Sequence, residues 1–408
     1  MTISEQLTDA QKSRLFLLSC IALTVTAMTF GIRAGILNQL GTDFGLTNAQ
    51  LGAVTAMAFW GFPIATIFGG LLYNAIGART LIWLACVCHI LGLVLTITAG
   101  SYWGLMISSL LVGFANGSVE AGCNPVISEC YDKNKTTMLN KFHVWFPAGI
   151  VIGALISYAM SNAGIGWQWQ IAVMLVPTAI YGFMLLGAVF PKHDAEIVST
   201  SVNFKSMFTP VFIFLAICMT LTAQTELGTT QWADKILAGS GVHPMATLAL
   251  IFGIMALGRY FAGPLVHRFN PTGVLLYSAV VSTIGLFMLS QFSGPLAIVA
   301  AIVFALGVTY FWPTMIGCVA EYLPKTGALG MSIVGGAGMA SVAVWAPIVG
   351  GWVDTAEAEA AAAGASATEI AGVAGPAVLE SLTLFPVILI VAFAGFYFYM
   401  KKRVASAE

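Results

Sequence analysis

Apolar residues run in long blocks along this chain, and polar residues fall in short gaps between them. A membrane-crossing helix needs about 20 apolar residues. Blocks of that length lie at about 15–40, 49–74, 80–99, 103–130, 142–162 and 168–190. Six more lie at about 208–235, 244–266, 271–291, 294–323, 326–353 and 379–400. The polar connection Pro191–Met207 divides them into two sets of six. The pattern therefore predicts an all-α membrane protein of twelve transmembrane helices, with an N-terminal half (1–190), a connection (191–207) and a C-terminal half (208–408). Pro313 in the tenth block, and Gly335, Gly336 and Pro347 in the eleventh, interrupt the pattern. Such breaks are tolerated where the backbone faces protein or a cavity. Residues 355–380 are Ala-rich and acidic and read as an outer connection, either a surface helix or a loop.

Composition agrees: 59% of the 408 residues are hydrophobic and 8% are charged, values of a polytopic membrane protein. A net charge of −1 offers no basic tract for nucleic acid. The seven cysteines sit in or beside apolar blocks without metal-ligand spacing, so they read as small buried hydrophobes. The polar stretch 1–14 leads into the first block without a signal-peptide cleavage pattern, so that block is expected to stay in the mature chain. Lys12, Arg14, Arg79, Lys133, Lys135, Lys141, Lys192, Lys205, Arg268, Lys325 and Lys401–Arg403 all fall in the tails or the even-numbered connections; the others carry only Lys235. By the positive-inside rule both termini are expected in the cytoplasm.

The chemistry concentrates in a few places. In the fourth block Asn116, Glu120 and Asn124 recur every four residues, so they share one helix face. A carboxylate at mid-membrane costs about 2.5–3.5 kcal/mol and belongs against protein or water. Glu120 is thus either a proton-carrying site or an ion pair that fixes packing. Gly113, Gly117 and Gly122 let a neighbouring backbone come close. In the first block Arg33 lies deep, with Asn38 and Gln39 following. It either pairs with an internal acid or holds a substrate anion or hydroxyl pair in its planar fork. Asn140 and His143 share a face at the start of the fifth block, and Trp145 follows as a candidate for stacking on a sugar ring or for lipid contact.

The seventh block is the most polar, with Thr222, Gln224, Glu226, Thr229, Thr230 and Gln231. Lipid would not tolerate that density, so its expected roles are substrate contact at Gln224 and Gln231 and proton coupling at Glu226. Trp312 beside Pro313 is a candidate wall of the site. Arg259 is placed with an inner gate, and Glu321 is expected to face solvent or pair with Lys325. No phosphate-binding glycine loop, GxSxG, HExxH or Cys/His metal spacing is present, so no enzyme chemistry and no cofactor is expected.

An internal repeat links the halves. Gly70, Asn74, Gly77 and Arg79 after the second block match Gly263, His267 and Arg268 after the eighth. This resembles the signature loop of the major facilitator superfamily, with Asn74 and His267 where that pattern has an acid, so its charge latch is expected to be weakened or rebuilt. The resemblance implies two six-helix halves around a central cavity. Within that superfamily, Glu120–Pro125, Asn140-x-x-His143 and Glu226-x-Gly228-x-x-x-Trp232 resemble the fucose–galactose–proton symporter family. That family has a first-helix acid where this chain has Ala34, with Arg33 beside it, a feature closer to organic-anion symporters.

Together these features predict a secondary transporter of the bacterial inner membrane, acting as a monomer by alternating access. It would import a sugar, sugar acid or similar hydroxylated solute with protons; sodium is the alternative ion, since Glu120 and Asn124 ligate it equally well. The rival readings are a proton-driven exporter of amphipathic compounds, an organic-anion symporter, and a transport-dead membrane sensor.

Overall fold

The computed structural model describes residues 7–46, 48–191, 199–231, 237, 241 and 244–405. Its described elements are helices. Ten are long and apolar enough to cross a membrane: Asp9–Leu37, Gln50–Ile97, Tyr102–Cys130, Lys135–Asn162, Trp167–Leu186, Pro210–Gln231, Ala262–Gln291, Pro295–Tyr322, Pro324–Ala362 and Gly372–Arg403. The helix Gln50–Ile97 is two crossings that meet at Gly77, and the shorter apolar helix Ala246–Tyr260 leads into 262–269 to complete one more. Split in this way, the described residues provide the twelve predicted spans, numbered first to twelfth below. Trp232, Lys192 and Lys235 lie outside the described residues.

The two signature loops share one backbone solution. Gly77 has φ 73° and ψ 165°, and Asn270, seven residues after Gly263 as Gly77 is seven after Gly70, has φ 53° and ψ 169°. Positive φ is free for glycine but strained for other residues. Asn270 offsets that strain with its side chain: Oδ1 accepts from the Gly273 N–H at 3.0 Å and the Thr272 hydroxyl at 2.7 Å. Asn270→Val is therefore expected to destabilise the protein by about 2 kcal/mol or more through strain plus the lost cap, whereas Asn270→Gly loses the cap only. Thermal unfolding of the two variants checks this, with the larger drop expected for valine.

By contact the chain forms two compact units, Met1–Leu215 with Ile316–Ala340, and Ala216–Met315 with Ser341–Glu408. In the first, the fourth span packs backbone to backbone on the second. A Cβ on Gly113 would collide with the Ala58 backbone, and one on Gly117 with the Phe62 carbonyl oxygen, so these glycines set the close approach foreseen from their spacing. Buried residues such as Ile32, Val112 and Trp167 form a core across the first, fourth and sixth spans. Large apolar side chains such as Phe183 and Val391 point outward, as a lipid-facing surface requires.

The rebuilt latch lies in the first unit. Asn74 Nδ2 donates to Asn203 Oδ1 at 2.7 Å, and Asn203 Nδ2 donates to the Lys325 carbonyl at 2.8 Å. Amides thus replace the charge pair of the usual pattern. Glu321, expected in solvent or with Lys325, instead accepts from the Thr136 N–H at 3.0 Å and its hydroxyl at 2.6 Å. It caps the first turn of the helix Lys135–His143, where N–H groups lack intrahelical partners.

Residues 355–380 are helical on both sides of a turn at Gly364, φ 84°. Alanine has the highest helix propensity, which decides between the two sequence readings. Ser366 starts the second arm. Its hydroxyl and N–H each donate to Glu369 at 2.7 Å and hold that carboxyl below its ordinary range.

Candidate functional site

In the first unit the fourth and fifth spans bring three expected residues together. Glu120 and Asn124 are one turn apart and both are buried, as is His143. Asn124 Nδ2 donates to Glu120 Oε2, and Asn124 Oδ1 lies 3.0 Å from His143 Nε2. Because the amide donates to the carboxylate, its oxygen faces the imidazole, so His143 Nε2 carries the proton of that bond. The same nitrogen lies 3.8 Å from Glu120 Oε2. The three groups form a buried acid–amide–imidazole set in which a proton can sit on the carboxyl or the ring without breaking the amide bridge. Asn140, fully buried, donates from Nδ2 to the Thr136 carbonyl at 2.9 Å.

Asn116 does not join this set, although it shares the helix face. Its Nδ2 donates to Thr29 Oγ1 at 3.0 Å and its Oδ1 lies 2.9 Å from His89 Nε2, while His89 Nδ1 lies 2.8 Å from the Tyr181 hydroxyl. The amide orientation again makes His89 Nε2 the donor and leaves Nδ1 to accept from Tyr181. This chain ties the first, third, fourth and sixth spans. Sequence reasoning passed over His89 and Tyr181; a lone histidine in an apolar block was the available signal.

Arg33 is half-buried and donates to the Val54 carbonyl at 3.4 Å. Among the described residues no carboxylate pairs with it. Gln39 instead joins a packing network: its Nε2 donates to Ser161 Oγ at 3.1 Å, which also accepts from Gln170 Nε2 at 3.1 Å. The Asn38 side chain lies outside the described residues. Trp145 is 38% exposed and its neighbour Phe146 packs on Phe30.

In the second unit, Glu226 and Arg259 form a buried ion pair, Nη2 to Oε1 at 2.8 Å. Arg259 Nε donates to the Thr309 carbonyl at 2.7 Å. That carbonyl is available because Pro313, four residues on, has no N–H to give it. One proline thus opens a carbonyl that the guanidinium closes, and three spans are stapled. Sequence reasoning grouped Arg259 with the gate residues; its burial distinguishes it from Arg268 of the same unit. Arg259 is 1% exposed, whereas Arg268 is exposed, with its guanidinium 5.4 Å from the Phe269 ring centre, and Arg79 is exposed. Gly70 packs against Ser332, and Gly263 is buried. Gln224 and Trp312 are buried, and Gln231 is exposed. The seventh span turns as a π-helix at Gln224–Gly228, a distortion that recurs at functional sites.

The sequence profile of the Major Facilitator Superfamily matches residues 18–347. Among curated proteins, the solute carrier family 2 facilitated glucose transporter member 10 of Danio rerio is 29% identical over 194 residues, 44% of this chain and 38% of that protein. The aligned stretch is thus well under half of such relatives' length. The crystal structure of the E. coli fucose:proton symporter superposes with a TM-score of 0.69 at 15% identity, covering 92% of this chain and 98% of that one. The proton:xylose symporter bound to 6-bromo-6-deoxy-D-glucose gives 0.73 at 14% identity, covering 94% and 97%. At these identities the two structures establish the shared fold.

Proposed function

The chain belongs to the Major Facilitator Superfamily, and from that premise we propose that it is a secondary transporter moving a small hydroxylated solute, of the sugar or sugar-acid class, together with protons. The observation that carries the coupling is the buried Glu120–Asn124–His143 set. The curated relative and the two structural neighbours that carry sugars support the solute class. Residues 1–190 and 208–408 act as the two halves of an alternating-access cycle, the protein works as a monomer, and both termini face the cytoplasm of a bacterial inner membrane. Export of amphipathic compounds is the weaker reading, because Glu226, Arg259 and Gln224 bury strong polar groups where such a carrier needs apolar wall.

Arg33 decides between neutral and acidic solutes. A guanidinium inside a span without a carboxylate partner is costly, and a solute carboxylate would offset that cost with two parallel hydrogen bonds. Uptake of D-gluconate and D-glucose into proteoliposomes under an inward pH gradient tests both halves of the reading. Gluconate is expected to be preferred, and Arg33→Lys, which keeps the charge but loses the fork, is expected to weaken gluconate uptake on the order of tenfold, about 1.4 kcal/mol. PH-independent uptake would remove proton coupling, and unchanged uptake in Arg33→Ala would return Arg33 to packing.

A further inference from the structure

The short helix Thr200–Ser206, between the two sets of six spans, carries two faces of opposite character. Ser199 starts it by accepting from the Val202 N–H. On one face Asn203 is 2% exposed and makes the amide bridge to Asn74 and to the Lys325 carbonyl. Met207, one turn further on, is buried too. The other face is turned outward. Phe204 and Phe208 lie one turn apart there, 50% and 68% exposed, with their rings edge to face at 5.2 Å between centres. Lys205 beside them is exposed. An aromatic pair held open in this way gains by leaving water.

Position says what covers this face. Asn203 is bonded to the connection after the second span and to the one after the tenth, so the helix lies at the edge of the membrane. Phe208 stands two residues before Pro210, where the seventh span begins, and exposed Ile213 carries the apolar surface on into that span. A helix so placed lies along the boundary between headgroups and acyl chains. Two turns of helix offer far less than the about 1,000 Å² that a specific protein interface buries. Charge then selects the lipid. No acid stands between Ser199 and Pro210, and Lys205, Lys325 and Arg79, one on each segment tied through Asn203, are exposed. Such cations are drawn to anionic headgroups. We propose that this face binds an anionic phospholipid of the surrounding bilayer: Phe204 and Phe208 enter the acyl boundary, Lys205 meets the phosphate, and the lipid seats the helix that carries Asn203. The amide bridge is then held from two sides, by Asn74 and the Lys325 carbonyl within the protein and by the bilayer outside it. This surface goes beyond the transport reading and does not depend on the solute.

The test is spin labelling of the full chain in lipid vesicles. The seven native cysteines are buried, so a cysteine added at an exposed position is labelled selectively. Phe204→Cys and Phe208→Cys report the face at two independent sites, and Asn134→Cys, exposed in the connection after the fourth span, is the aqueous control. Collisions of the label with oxygen, which dissolves in the acyl region, are compared with collisions with a water-soluble nickel chelate. Oxygen is expected to dominate several-fold at 204 and 208, and nickel at 134. The oxygen-to-nickel ratio at 208 should rise when phosphatidylglycerol replaces half of the phosphatidylcholine, and Lys205→Gln should cancel that rise. Asn203→Ala should free the motion of the label at 208 yet keep its ratio, because the outward face itself holds the lipid. Nickel-dominated collisions at 204 and 208 would overturn the proposal, as would equal ratios in the two lipid mixtures. A ratio lost in Asn203→Ala would overturn it too, by showing that the amide bridge alone places the helix. Few collisions with either reagent would also overturn it, with spin–spin broadening identifying a second copy of the chain as the cover and its absence another segment of the same chain.

Discussion

Glu120→Gln is expected to abolish accumulation of solute against a gradient while leaving exchange of solute across the membrane intact. Glutamine is close in shape to the protonated acid and can occupy the same place beside Asn124, so binding and the conformational cycle survive. What it cannot do is release a proton. Asn124 bridges Glu120 and His143 through opposite ends of its amide, so the bridge persists whichever group holds the proton. In proteoliposomes the ratio of internal to external solute should fall to about one, since only the proton gradient holds it above that value. A packing role for Glu120 would give another result: uniformly lower rates with accumulation preserved.

Arg259→Ala is expected to be the most destabilising single substitution at the candidate site. It would leave Glu226 as a buried carboxylate without its partner and reopen the Thr309 carbonyl that Pro313 leaves unpaired. Breaking a buried ion pair from one side costs about 3–5 kcal/mol. An apolar pair of similar volume, Glu226→Met with Arg259→Met, removes both charges together and should recover much of that stability. Thermal unfolding of the two variants separates the effects: recovery in the double variant identifies the uncompensated charge as the cause, and equal losses would point to packing by the arginine stem.

Much of the fold was legible because a bilayer imposes a simple rule on sequence. Every span had to appear as a long apolar block, and the seven-residue interval from Gly70 to Gly77 recurs from Gly263 to Asn270 with the same backbone bend. Glu120 and Asn124 were legible as neighbours because one helical turn separates them. His143 was legible as a polar residue in an apolar block, though its contact with Asn124 depends on how two spans pack. The Arg259 staple was not legible. Its partners lie 33 and 50 residues away, and one of them is a backbone carbonyl whose availability depends on a proline in a third span. The His89 chain was hidden for the same reason, since its partners lie in three other spans and no periodicity reports them. Residues 355–380 read as helix or loop from sequence because their alanines favour a helix while Gly364, Gly372 and Gly375 punctuate it.

The central claim is that solute moves with a proton held at Glu120. The most direct measurement is the external pH of lightly buffered proteoliposomes when D-gluconate, or the best-bound sugar, is added without any imposed gradient. Wild-type protein is expected to make the medium more alkaline as solute enters with protons, and Glu120→Gln should carry solute inward with no pH change. Solute entry through the wild type with no alkalinisation, or alkalinisation that persists in Glu120→Gln, would contradict the account.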